Sequence, residues 1–550
     1  MFSPLRFLTL LLLLGLSMCF ARTAAASHAI GGSITYTSLG GNSYRVRADF
    51  TRDCFTVVAP SVFNLTCTTS CGTTALTALL ALVGQPVIGM PYTSSLQPRA
   101  VCPLATGAPS NALPNYAAYR YEGNVTLTPN QWILSVEESS RPLIANAIAG
   151  NLRLEATLDN RGRTNNSVQF SSLPTIFFPF NRPNLTHIGA YDADGDSLTY
   201  SLEQPLSGCG TYEAYTPYPT TTCTVTIDPR CIRRIIGCAG MPTMYSQLLP
   251  IAVANDTLFE NGSTVRPPCP TTAIVNVTAQ PRFDFVPALG AFSFMPGRYV
   301  PTPAANGDNK YIVTVKVREW RRENGVLVIV GTTRRDMLWE VYDSGNNTLP
   351  RLSPTVMVQN GTQSTSRPLT AAIAASAGEP VSVTFSATNP GSALPLAFTL
   401  EQNTIPGAVI QPGSVAGTAR LTFTPPLSMP RGTYNVSLSV TDDAGPLRNL
   451  ITVPVTFYVS PAVLATRRAS APAIAAYPTP FSQAVQFQLP KAGVQALTVF
   501  DQLGRVIAHL QSRPDGNVHW TPGPAVPAGL CSARSADGQL VVRLLRSAAQ

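Results

Sequence analysis

The 550-residue chain reads as an all-β protein, a tandem series of antiparallel β-sandwiches closed by a smaller C-terminal sandwich. Three observations predict this. Runs such as "SYRVRADF", "NVTLT", "NKYIVTVKVREW", "VSVTFSAT", "ARLTFTP", "TYNVSLSVTD" and "ITVPVTFYV" are rich in Val, Thr, Tyr and Phe, and many alternate with period two. Pro (49) and Gly (39) are spread along the chain and punctuate those runs, as turns between strands require. No convincing amphipathic helix occurs beyond the first residues, and the length suggests roughly three to four domains.

An internal repeat supports the series. "LTYSLEQ" from Leu198 matches "LAFTLEQ" from Leu396 position by position in character. Downstream, "GAFSFMP" and "KYIVTVKVREW" in the first copy correspond to "ARLTFTP" and "TYNVSLSVTDD" in the second. Each copy reads strand, strand, turn, strand, as an Ig-like or cadherin-like sandwich would. The first copy carries a long excursion, near 208–280, where the second has a short connection. A loop of that length without constraint of its own is uncommon in a compact domain, and this one holds five cysteines.

The N-terminus sets the compartment. Arg6 precedes the apolar run "FLTLLLLLGLSMCF", and "ARTAAAS" follows with small residues in a cleavage pattern. This is a secretory signal, residues 1–26, removed at about Ala26. No later stretch is long and apolar enough for a transmembrane helix. Export makes the cysteines readable as disulfides. Cys54, Cys67, Cys71 and Cys102 form one group, expected to hold two bridges. Cys209, Cys223, Cys231, Cys238 and Cys269 form another, expected to hold two bridges and an odd thiol. A zinc site is the rival, but no CxxC pair occurs and the spacings are irregular.

The stretch "AYDADGDSLTYSLEQP" raises a metal question. Asp192, Asp194 and Asp196 alternate like ligands, and Glu203 lies at the offset from first to last ligand of an EF-hand loop. That reading fails. Gly195 is fourth where an EF-hand wants Gly sixth, the loop leads into a strand, and the second copy keeps Glu401 with no acidic triad before it. Two readings stay open: a calcium site of another geometry, and a turn shaped by Asp and Gly before a strand.

Catalytic groups are sparse. Of four His, only His187 is placed in a folded body beside carboxylates. No HExxH, GxSxG or phosphate-cradling glycine loop is present. Glu137 and Glu138 are neighbours on a strand and so point to opposite faces. Glu319, beside Trp320, reads as part of a hairpin around "RENG". The net charge of +9 comes from dispersed Arg with no basic run, which argues against a nucleic-acid partner. Asn-x-Ser/Thr triplets, among them Asn64, Asn124, Asn184, Asn276 and Asn435, would suggest N-glycans in a eukaryotic ectodomain; in a bacterial chain so rich in Asn, Ser and Thr most arise by chance. Tyr212, Tyr215 and Tyr218 in "GTYEAYTPYP", with Trp320, are candidate sugar or protein contacts.

The two ends resemble known families. Tyr477-Pro478-Thr479-Pro480-Phe481, Leu497-Thr498-Val499-Phe500-Asp501, Leu503-Gly504-Arg505-Val506 and Pro527-Ala528-Gly529-Leu530, then "QLVVRLLR", resemble the type A C-terminal sorting domain of the type IX secretion system of Bacteroidetes. Cys531 stands where an aromatic usually follows. The opening "ASHAIGGSITYTSLGGNSYRVRADFTRDC", with "RLEATLDN", "GAYDADGDSLTYSL" and "VREWRRENGVLVIVGTTRRDM", resembles large secreted and surface proteins of the same bacteria, which carry Ig-like or PKD-like modules. The resemblance implies recognition at the outer membrane by the secretion machinery, removal of the tail by its C-terminal signal peptidase, and release or coupling to surface lipopolysaccharide.

These readings give a domain plan: signal 1–26, an N-terminal β domain 27–175, a sandwich 176–350 with its Cys-rich excursion, a sandwich 365–460, a linker 461–474 and the sorting domain 475–550. They predict a secreted or surface-bound, non-enzymatic structural or adhesive protein with no required cofactor, its ligand an extracellular glycan or protein. The alternative is a secreted carbohydrate-active or proteolytic enzyme, or a carbohydrate-binding module, with its active unit in the N-terminal domain.

Overall fold

A computed structural model describes residues 29–53, 59–73, 76–84, 87–89, 116–148, 150–170, 177–219, 234–258, 274–302, 307–390, 394–400, 405–442, 449–461, 476–489, 493–535 and 541–547. All regular elements there are strands, mostly antiparallel. Among the described residues no helix is long and apolar enough to cross a membrane. The chain forms two compact units, 1–462 and 463–550, and each is described by itself. The expected signal and, but for Pro461, the expected linker lie outside the described residues.

The first unit begins with a closed barrel. Its strands run in the order Ala29–Gly40, Ser43–Asp53, Tyr116–Thr126, Leu76–Leu82, Val62–Thr68, Gln131–Glu138, Leu152–Asp159 and Val326–Tyr342. The last returns to the first, with Gly32 opposite Asp336 and Ser33 opposite Arg335. Alternation fills the interior: Ile34 and Tyr36, then Tyr44, Val46, Ala48 and Phe50, then Phe63, Leu65 and Cys67 point inward. Closure depends on glycine. A Cβ on Gly31 would lie 2.3 Å from the Asp336 carbonyl oxygen, and one on Gly32 would lie 2.2 Å from that of Asp49.

The 17-residue strand Val326–Tyr342 serves two bodies. Gly331–Asp336 completes the barrel, while the strand also pairs with Lys310–Glu323, itself paired with Ser197–Glu203. The boundary expected near residue 175 is therefore crossed: the N-terminal body borrows a strand from the far end of the second. The second body is a sandwich. That sheet packs Tyr311, Val313, Val315, Val317 and Trp339 against Phe292 and Phe294 of the small sheet Asn184–His187, Ala291–Phe294, Phe283–Val286. Trp339 stacks on Phe294 with centroids 4.7 Å apart. From the expected excursion, a three-stranded sheet of Arg234–Ala239, Ile274–Pro281 and Asn255–Leu258 is described.

The third body is a sandwich of the sheet Ile373–Ser376, Leu450–Ser460, Gly432–Asp442, Leu396–Leu400 and the sheet built on Thr355–Asn360, Val381–Thr388, Thr418–Phe423 and Ala408–Pro412. The sequence repeat is a structural one. Ser197–Glu203, Lys310–Glu323 and Val326–Tyr342 lie side by side, and so do Leu396–Leu400, Gly432–Asp442 and Leu450–Ser460. Leu198 stands opposite Glu319, and Leu396 opposite Asp442.

In the C-terminal unit, a three-stranded sheet of Ala476–Tyr477, Val485–Gln488 and Asn517–Trp520 packs on a four-stranded one ordered Val506–Gln511, Ala496–Phe500, Gly529–Ser535, Val541–Arg546. Phe481, Val485, Phe487, Leu497, Val499, Trp520 and Leu544 form its core. Cys531 joins that core.

Candidate functional site

The acidic loop singled out in the sequence lies where three bodies meet. Strand Ala190–Tyr191 ends at Asp192, whose Oδ1 accepts the N–H groups of Asp194 and Asp196, each at 2.9 Å. That pair of bonds winds the loop. Gly195 then takes a left-handed φ of 82°, and a Cβ there would sit 2.8 Å from the Arg431 carbonyl oxygen of the third body. The loop opens straight into the strand Ser197–Glu203, as a helix-flanked calcium loop would not.

The three carboxylates converge, with ligand oxygens within 4.8 Å of one another. A cation from the chain itself meets them. Arg321 donates from Nε to Asp196 Oδ1 at 2.9 Å, and from Nη2 to Asp196 Oδ2 at 2.6 Å and Asp194 Oδ2 at 2.9 Å. The rest of its fork reaches the Asn165 Oδ1 at 2.7 Å and the Thr164 carbonyl at 2.6 Å. A planar guanidinium suits paired carboxylates. Its charge faces two of the three carboxylates, Asp194 and Asp196.

Two residues earlier on the same strand face, Glu319 is 0% exposed. It accepts the Val168 N–H at 3.0 Å and the Asn165 Nδ2 at 2.6 Å. Its carboxylate lies over Gly331, where a Cβ would come within 2.5 Å of Oε2. Burial first, then the charge of Asp192, pushes the Glu319 carboxyl up to about 8. Burial likewise lifts Asp192 to about 7, against the pull of the Asp196 N–H and with the repulsion of Asp196 and Asp194.

Asn165 also donates to the Tyr36 hydroxyl of the barrel at 3.1 Å. The junction between the second and third bodies repeats this device. Asp442 accepts the Asn449 Nδ2 at 3.2 Å, and the Tyr342 hydroxyl donates to the Asn449 Oδ1 at 2.9 Å. In each case a buried carboxylate holds an asparagine that holds a tyrosine of the preceding body.

The loop expected to be displayed is strapped down over its described part. Cys71 bonds Cys209, joining the barrel to the turn after Leu206–Gly208 across 138 residues. Glu213, 4% exposed, lies 3.7 Å from Arg141, which pairs with Asp336 at 2.5 Å. Glu213 and Arg141 were not singled out in the sequence; a carboxylate inside an aromatic, turn-rich stretch is too common a pattern to mark them. Of the aromatic candidates, Tyr212 is 53% exposed and Tyr215 is partly buried. Tyr218 belongs to the second core and accepts the Val253 N–H, so it is no surface contact. Trp320 is held by its indole N–H to Thr199 Oγ1 at 2.8 Å.

The cysteine grouping is corrected by this bridge, which crosses the two expected sets. Cys67 is a free thiol inside the barrel, pushed up to about 12 by burial, rather than half of a disulfide. Cys54, Cys102, Cys223, Cys231 and Cys269 lie outside the described residues, as does Glu401, and Cys238 is placed on the strand Arg234–Ala239. His187 is structural in its bonding: Nδ1 accepts the Gly189 N–H at 3.1 Å. Glu137 pairs with Arg153 at 2.5 Å. Of the C-terminal motif, Tyr477 is 74% exposed beside Pro478 and Pro480. Gly504 lies in a turn where Arg505 bonds Asp501 at 2.8 Å, while Pro527 and Gly529 lead into the strand Gly529–Ser535.

No family model and no curated protein sequence matches the chain. Among solved structures, it is similar to the N-terminal eight Ig domains of Down syndrome cell adhesion molecule (9% identity, 94% of this chain and 50% of that one, TM-score 0.17). It is also similar to protocadherin gamma B7 extracellular cadherin domains 1–4 (11%, 78% and 71%, TM-score 0.14) and to an endo-fucoidan hydrolase of glycoside hydrolase family 107 (13%, 76% and 42%, TM-score 0.16). The chain spans half or less of the first and third of these. Similarity at this level is one of strand-rich modules in series and carries no inference about activity.

Proposed function

We propose that the chain acts outside the cell as a non-enzymatic structural or adhesive element, exported by a type IX secretion system of a Bacteroidetes-type bacterium. The observation that carries this reading is the repeated junction. Barrel and second body share the strand Val326–Tyr342, and carboxylate–asparagine–tyrosine links fasten each body to the next. Bodies joined this way transmit force and hold surface loops at fixed spacing, which suits display to a glycan or protein ligand. The C-terminal unit has its own core, as a detachable address requires, and its motif residues resemble those of a sorting domain.

In this reading the secretion machinery and its signal peptidase are partners, and the mature chain is released or coupled to surface lipopolysaccharide. The test is surface proteomics of producing cells with and without residues 475–550. Loss of the chain from surface and medium on deletion supports the reading; unchanged export removes it. Screening the purified protein against polysaccharides and casein tests the non-enzymatic half, since turnover abolished by a single carboxylate change would overturn it.

A further inference from the structure

The four-stranded sheet of the C-terminal unit has two faces, and only one packs on the core. Strand alternation sends Leu497, Val499, Ala533 and Leu544 inward. The outer face is set by register: Leu530 stands opposite Leu545, Ser532 opposite Arg543, and Arg534 opposite Val541. Leu530 is 50% exposed and Leu545 44%. The Arg534 guanidinium lies over the Phe500 ring, 5.7 Å from its centroid. A depression of about 440 Å³ opens here, lined by Phe500, Gly504, Leu530, Arg534 and Arg543 among others. Gly504 and Leu530 come from two separate sequence motifs, so the fold gathers both onto one surface.

The charge on this surface is one-sided. Among the described residues Asp501 is the single carboxylate lining the depression, and it is spent. Its Oδ1 accepts the N–H groups of Leu503 and Arg505, and its Oδ2 takes Arg505 Nε at 2.8 Å. Among the described residues no carboxylate pairs with Arg534 or Arg543. Exposed Leu, a stacked Arg and unpaired guanidinium groups are the composition of a protein interface. The cations lie on neighbouring strands of this face, Arg543 next to Leu545 and Arg534 one step further on, diagonally across, a spacing an extended acidic and apolar chain can match.

We propose that this outer face docks an acidic, partly apolar segment of a protein partner, with Arg534 and Arg543 as its charge anchors. The proposal rests on the reading of this unit as an export address and assigns that address a surface. An anionic lipid is the competing occupant.

The test uses the full chain in producing cells, carrying R534E/R543E, R534K/R543K, or R513E as a control on a loop away from this face. Charge reversal is expected to lower the exported fraction at least about tenfold, whereas the Lys pair and R513E stay near wild type. A parallel titration of the purified full chain uses a synthetic peptide of alternating Glu and Leu, and vesicles of phosphatidylglycerol. Peptide binding lost on charge reversal supports the proposal; binding to vesicles and not to peptide overturns it in favour of lipid. Melting of each variant shows whether loss of export follows loss of fold; if the reversed pair is unfolded, the peptide titration of the wild-type chain decides the matter, and absence of binding overturns the proposal. Normal export of R534E/R543E, with export blocked by deletion of 475–550, overturns the docking face and leaves the address intact. Export of the deletion chain overturns both.

Discussion

Glu319 and Asp442 hold the same station in two successive sandwiches: each stands opposite a leucine at the start of the paired strand, Leu198 or Leu396, and each is almost fully buried. A buried carboxylate is costly unless its oxygens are satisfied. Both are satisfied by an asparagine, Asn165 or Asn449, that also grips a tyrosine of the body before it. The repeat therefore conveys a way of joining modules as well as a fold.

Asn449→Ala and Asn165→Ala should each weaken their junction. Both asparagines are 0% exposed; truncating Asn165 removes the donor to Glu319 Oε2, while Tyr36 keeps the Thr157 carbonyl, and truncating Asn449 removes the acceptor of the Tyr342 hydroxyl, while Asp442 keeps Asn347 Nδ2. We expect a loss of about 2–4 kcal/mol for either. Chemical denaturation of the first unit measures it; a loss under about 0.5 kcal/mol would show the links to be incidental.

Arg321→Gln should be worse than either. It removes the guanidinium that bonds Asp194 and Asp196 while Asp192 and Glu319 stay buried beside them. The expected cost is about 3–5 kcal/mol, less a modest solvent discount for the partly exposed Asp194. Because Arg321 already supplies the counter-charge, calcium and EDTA should leave the wild-type melting temperature unchanged. A clear rise with calcium would restore the ion reading of the loop.

The strands were legible because period-two alternation and turn punctuation act locally, and "LTYSLEQ" with "LAFTLEQ" exposed the repeat directly. Barrel closure was not legible. It depends on Gly31 and Gly32 meeting Asp336, a contact about 300 positions distant in sequence that leaves only a small-residue pair as its trace. The loop 192–196 was found for its acids, yet its partner Arg321 looked like one more solvated Arg in a hairpin. Spacing also misled the cysteines: proximity in sequence suggested bridges within groups, while the fold brings Cys71 to Cys209.

His187 gives the acid side of the stability curve. Burial, aided by the charge of Arg335, pushes its imidazole down to about 3. The unfolded chain protonates near the ordinary 6.5, so between these values the unfolded state binds the extra proton. Its contribution is full above about 6.5 and drains as pH falls, by about 1.4 kcal/mol per unit at most. The midpoint difference between wild type and His187→Gln isolates this share: from pH 7 to 4 wild type should lose ground to the variant.

Glu319 acts with the opposite sign. Its folded value of about 8 exceeds the ordinary carboxyl value, so the fold holds a proton that the unfolded chain releases. That stabilisation is complete below about 4.5 and is lost as pH rises through about 8. The difference between wild type and Glu319→Gln should carry this share of the dependence between pH 5 and 8, wild type losing ground as pH rises. An unchanged profile would mean that the carboxyl titrates normally in the fold.

Breaking the Cys71–Cys209 bridge should free a strap before it unfolds a body. The bond closes 138 residues of chain, so its loss relaxes the unfolded state and lowers stability by up to about 5 kcal/mol in the chain-entropy account. Locally, the turn at 204–213 keeps a second hold, because Gln204 Nε2 still bonds the Glu213 carbonyl at 2.7 Å and Arg141 still lies beside the Glu213 carboxylate. Cys71→Ser with Cys209→Ser should therefore raise hydrogen exchange at 206–212 first, with Tyr218 and the second core still protected. If exchange rose equally across Tyr311–Val317, the bridge would be holding the whole sandwich and not a strap.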